Sequence, residues 1–160
     1  MKPETFTTPL FDLLDETFEH VHGYYLDKGT SLLETLATVS ASEASRGVSP
    51  TGATIAAHVT HVEFYLTVLE EVLQGRDPEK VDWSLIWRNT REVSAAEWDA
   101  LRKRLHETYA RVVGLARSFD TWEGKGQVSG ALAVVVHSAY HLGAIRQALR
   151  AVIGPPVNAE

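Results

Sequence analysis

The chain has 160 residues, no cysteine and a formal net charge of -6. That length suits a single domain, 1–160, with a proper hydrophobic core, and the lack of cysteine excludes a disulfide framework and any thiolate metal site. Lys and Arg are dispersed rather than gathered into a basic footprint, and no apolar run reads as a signal peptide or reaches membrane-spanning length. The expectation is a cytoplasmic protein with neither nucleic-acid nor membrane partners.

Thr8-Pro9 reads as the start of a first helix, because Pro is tolerated at the first helical position. Leu10, Leu13, Leu14, Thr17, Val21 and Tyr24 or Tyr25 then recur at helical spacing, with His20 and His22 at the edges of the stripe. Ser31-x-x-Glu34 has the form of a capping box, so Leu32, Leu33, Leu36 and Val39 continue as a shorter helical piece. Ser40 to Gly52 is small, polar and Gly/Pro-bearing, which predicts a loop.

A second long helix runs from Thr51 or Thr54 to Gln74 and is stopped by Gly75. At about 100° per residue, His58 falls near the centre of its apolar face and His61 to one side. Arg76 to Val93 is a long connection holding Trp83 and Trp87, read as packing against the helices or a partner subunit, with a pocket roof as the alternative. Ser94-x-x-Glu97 opens a third helix, whose stripe is Trp98, Leu101, Leu105, Tyr109, Val112 and Leu115 and whose His106 faces away. Phe119 to Gly130 is a Gly-rich loop. A last helix, capped by Ser129, runs to about Ile153 and ends at Gly154-Pro155-Pro156. Four amphipathic helices and no period-two pattern predict an all-α, four-helix-bundle domain.

The chemistry-bearing stretch is His137-Ser-Ala-Tyr-His141 in that last helix. Histidines four apart share a helix face, and this pair lies in or beside a seam of Val134, Ile145, Ala148 and Val152. Buried ring nitrogens need partners, and two on one face suit a single metal ion. Either His58 or His61 could supply a third ligand from the second helix. Three imidazoles leave a coordination position open, as in catalytic rather than structural sites. Imidazole suits Zn, Ni, Cu or Fe, and such an ion lowers the pKa of a water or thiol toward neutrality. Ser138 stands where a helical zinc protease needs Glu, so that mechanism is excluded.

His137-Ser-Ala-Tyr-His-Leu-Gly-Ala-Ile-Arg-Gln resembles the last helix of the DinB-like (DinB/YfiT-type) superfamily of metal-dependent proteins, and Thr54-Ile-Ala-Ala-His-Val-Thr-His61 resembles its second. The helix order and the long connection between helices two and three agree as well. The resemblance implies a four-helix bundle with a metal held by His137, His141 and one histidine of helix two. Counting seven residues from Thr54 reaches His61, and counting from Thr51 reaches His58. The apolar residue after Thr54 favours His61, with His58 as neighbour or substitute. Ala144 stands where relatives often carry Gln after the last His. Relatives are similar to thiol-S-transferases that use a low-molecular-weight thiol such as mycothiol or bacillithiol, or to metal-dependent hydrolases acting on small molecules, and they are often homodimers. The resemblance therefore implies a Zn or Ni enzyme of one of those types. The alternative is a non-catalytic binding or dimerisation module in a stress response, and a third reading keeps the histidines as hydrogen-bonded core residues.

Overall fold

Serine and threonine hydroxyls set the starts of four helices. The computed structural model describes residues 3–47, 49, 52–90 and 92–153, which are all-helical, with no strand among them. Seven helices follow in order: α1 (Pro3–Phe18), α2 (Leu32–Ala37), α3 (Ala41–Ala44), α4 (Ile55–Leu73), α5 (Ser84–Asn89), α6 (Ala95–Arg117) and α7 (Gln127–Ile153). Ser31, Ser40 and Ser94 each close a capping box with a glutamate three residues on, at the starts of α2, α3 and α6. The Thr54 hydroxyl accepts the Ala57 N–H at 3.1 Å and donates to the Thr90 carbonyl at 3.4 Å. One hydroxyl thereby starts α4 and ties down the far end of the α4–α6 connection.

The four long helices α1, α4, α6 and α7 account for most of the mass. α4 lies along both α6 and α7, α1 packs on α7, and α5 leans on α4. Ile55, Val59, Val62, Leu66 and Leu73 of α4 meet Leu101, Leu105 and Val112 of α6 and Val134, Leu142 and Ile145 of α7 in one apolar core. Trp98 is fully buried, and its indole N–H donates to the Val39 carbonyl at 2.8 Å, fastening α6 to the chain beyond α2. Gly130 lets α7 approach α4, since a Cβ there would stand 3.2 Å from the Leu73 side chain. Of the described helices, α7 is long and apolar enough to cross a membrane by length and composition, unlike the expectation that no segment is. It packs against α1 and α4, the position of a core helix.

Several local expectations are corrected. α1 does not begin at Pro9 but contains it. Phe6 holds the turn before it by packing edge-on to Trp122, with ring centroids 5.2 Å apart. Nor does α1 continue to Tyr24. It stops at Phe18 because the fully buried Glu16 carboxylate captures the chain that follows, accepting the N–H groups of His22, Tyr24, Tyr25 and Leu26 at 2.7–3.0 Å. The expected loop 40–52 holds the short helix α3, and the long connection holds α5. Ser129 is not a cap but lies in the first turn of α7, where its hydroxyl donates to the Gly126 carbonyl. Thr51 and the stop at Gly154-Pro155-Pro156 lie outside the described residues. Arg46 donates to the Val152 carbonyl in the last turn of α7, at 3.1 Å.

Candidate metal centre

α4 and α7 bring four histidines together. His61 Nε2 and His137 Nε2 lie 3.0 Å apart, and His58 Nδ1 and His141 Nδ1 are also 3.0 Å apart. One nitrogen each from His61, His137 and His141 falls within 4.8 Å of the others, a grouping that could hold a metal ion. Two nitrogens on a tetrahedral zinc at about 2.0–2.1 Å stand about 3.3–3.4 Å apart, so the 3.0 Å approach is close to that of two ligands on one ion. The donor set fits in charge as well. Burial holds the His137 ring down to about 4, helped by the charge His61 would carry, and holds His141 down to about 3. Burial lowers His61 and His58 too, so all four rings are neutral near pH 7 and keep their lone pairs.

The burial order within α4 reverses the helical-wheel expectation. His61 is buried at 8% exposure, whereas His58, placed at the centre of the apolar face, is only half-buried. The cause is α5. Its Trp87 ring lies 4.7 Å from that of His61, and Trp83, just before α5, packs edge-on to His61 at 5.4 Å. Trp87 also meets the edge of His58 at 5.2 Å. Both tryptophans of the connection therefore pack against the helices, as expected above, and lie over the histidines like a roof. His141 lies in the buried seam as expected, with His137 beside it.

Tyr65 and Tyr140 complete the surround. Tyr65 stacks on His137, and Tyr140 sets its ring edge-on to His141 at 5.1 Å while standing 71% exposed. Glu63 takes no part, because it turns to α6 and accepts the Thr108 hydroxyl at 3.0 Å. A cleft of about 480 Å³ opens between α4 and the connection, lined by Phe64, Val68, Val81, Leu85 and Ile86 among others, but not by the histidines. A second set of ligand-type groups, Asp15, Glu19 and His20, sits at the exposed end of α1. Its carboxylates are already engaged, Asp15 with His20 and His22 and Glu19 with His106.

No family model matches the chain, and no curated protein matches it significantly. A solved structure that does match is a conserved protein from Enterococcus faecalis. The TM-score is 0.65 over 97% of this chain and 99% of that one, with 18% of residues identical. At that identity the likeness speaks for the fold alone.

Proposed function

We propose that the chain is a metal-binding protein of the DinB-like kind, with α1, α4, α6 and α7 as its four-helix bundle and His61, His137 and His141 as ligands of one divalent ion, Zn or Ni. The observation that carries this is the convergence of three neutral imidazoles from two helices, with His61 Nε2 and His137 Nε2 3.0 Å apart. Three protein ligands leave a position for an exogenous group. When bound, the ion supplies Lewis-acid activation of a nucleophile, which suits a thiol-S-transferase using a low-molecular-weight thiol or a hydrolase of small molecules. The residues around it bind and shield. Trp83, Trp87 and Tyr65 exclude water, and burial keeps the ligand rings from taking a second proton.

The same roof favours a second reading, a non-catalytic binding or dimerisation module, because aromatic rings occupy the space beside the histidines. We further propose a cytoplasmic homodimer. Val128, Leu132, Val136 and Tyr140 form an exposed apolar row at four-residue steps on α7, which suits a second copy of the chain.

The deciding experiment is elemental mass spectrometry of untagged protein, beside His58→Ala, His61→Ala, His137→Ala and His141→Ala. About one ion per chain is expected, consistent with one open three-ligand site, lost in the last three variants. No metal after reconstitution with several divalent ions overturns the proposal. Turnover of electrophiles with added thiols then separates enzyme from module, and light scattering tests the dimer.

A further inference from the structure

His58 and His141 meet through like nitrogens, Nδ1 to Nδ1 at 3.0 Å. A neutral imidazole has one N–H and one lone pair, so this contact is a hydrogen bond only when one Nδ1 carries the proton and the other does not. Two tautomer pairs satisfy it. In one, His141 donates from Nδ1, and its Nε2 lone pair is free. In the other, His58 donates, the His141 proton sits on Nε2, and the Nδ1 lone pair is already used. Only the first leaves His141 able to ligate.

The other two candidate ligands lack such a partner. Nδ1 of His61 and Nδ1 of His137 are buried without a hydrogen bond. Packing orients those rings, with Trp87 against His61 and Tyr65 against His137. Metal-ligating histidines generally give their second N–H to an acceptor, which fixes tautomer and orientation. Within this cluster His141 is the ring for which the structure shows one. His58 lies three residues before His61 on α4, so one helix carries both a ligand and the group that aims another ligand on α7. Trp87, packed edge-to-face against His58, holds that ring in place.

We infer that His58 is a positioning residue of the metal site: its Nδ1 accepts the Nδ1–H of His141 and holds His141 in the tautomer whose Nε2 lone pair is left free for the ion. The inference rests on the metal-binding function proposed above and gives the fourth histidine a role other than ligation.

The test uses the full untagged chain and the variants His58→Phe and His58→Gln. Phenylalanine fills the space and accepts nothing, whereas the glutamine carbonyl can accept. His58→Phe is expected to weaken zinc binding in chelator competition by about 10–100-fold, at unchanged stoichiometry and with an unchanged cobalt(II) visible spectrum. His58→Gln is expected to recover most of the affinity. Long-range 15N NMR of the metal-free protein is expected to place the His141 proton on Nδ1 and the His58 proton on Nε2. Wild-type affinity in His58→Phe overturns the inference, as does a His141 proton on Nε2 in the wild type. A shifted cobalt spectrum with binding lost in both variants overturns it in favour of His58 as a ligand. Should the wild type bind no ion, the metal-binding function fails, and the NMR still decides whether His58 accepts from His141. Where His58→Phe does not fold, the wild-type NMR and His58→Gln carry the decision.

Discussion

The ring of Tyr65 lies almost parallel on that of His137, with centroids 3.6 Å apart and planes 17° apart. The two residues come from α4 and α7, so the stack joins the helices that carry the candidate ligands and fixes one of them by its face. Tyr65→Leu is therefore expected to weaken metal binding by roughly an order of magnitude without changing stoichiometry, since a loosened ligand pays more to reach the ion. Tyr65→Phe keeps the stack and is expected to bind like the wild type. Competition with a chromogenic chelator reads both, and equal loss in the two variants would place the effect in the hydroxyl instead.

Acid sensitivity should come from Glu16. Burial pushes its carboxyl up, but the backbone N–H groups of Tyr25, Tyr24, Leu26 and His22 outweigh burial and bring it down to about 2 from 4.5. A group depressed on folding contributes stability that is full above the unfolded value and is lost as pH falls from there through the folded value. The window is thus pH 4.5 to about 2. The shift corresponds to about 3 kcal/mol. Glu16→Gln puts an amide against donors, and is expected to lower stability at pH 7 by about 2–3 kcal/mol. Urea midpoints measured across that window should fall less steeply in the variant than in the wild type.

Metal uptake should be nearly independent of pH where free imidazole would compete with protons. His137 is held at about 4 and His141 at about 3, both chiefly by burial, and His61 is lowered as well. A lowered value keeps the ring neutral further into acid, so proton competition begins below the ordinary 6.5. Zinc affinity is expected to be flat from pH 8 to about 6. A drop centred near 6.5 would mean that the site is open to water.

Two glycines should respond oppositely to alanine. Gly126, at φ 79°, has no room for a Cβ, which would stand 2.8 Å from the Val72 carbonyl oxygen and 2.9 Å from its Cγ1. Gly126→Ala therefore strains the backbone as well as the contact, and is expected to cost about 1–3 kcal/mol. Gly143 lies inside α7, exposed, and a methyl group added there would meet nothing within 4 Å. Gly143→Ala is expected to add about 0.5–1 kcal/mol through helix propensity. Thermal melts of the two variants should move in opposite directions.

How far the sequence led depended on how local each cause was. The boxes at Ser31 and Ser94 are four-residue signals, and both helices start where those signals stand. Ser40 and Glu43 form the same box, but the Gly and Pro residues around them disguise a helix of a single turn. The His137–His141 spacing was legible for the same local reason. His61 was harder, because its burial over His58 comes from Trp83 and Trp87, some twenty residues further along, and a helical wheel holds no trace of them. Glu16 was the hardest to see. A lone glutamate in an amphipathic stripe carries no sign that the next ten residues will fold around its carboxylate.

His61 and His137 are 76 residues apart in the chain, and no disulfide cross-links their helices. An ion gripped by both would act as a reversible staple, closing a long loop in a cysteine-free chain much as a disulfide would. The holo form would then resist heat according to how much free ion surrounds it, gaining about 2.7 kcal/mol at a hundredfold excess over the dissociation constant. The melting temperature of this protein would report the metal status of its surroundings.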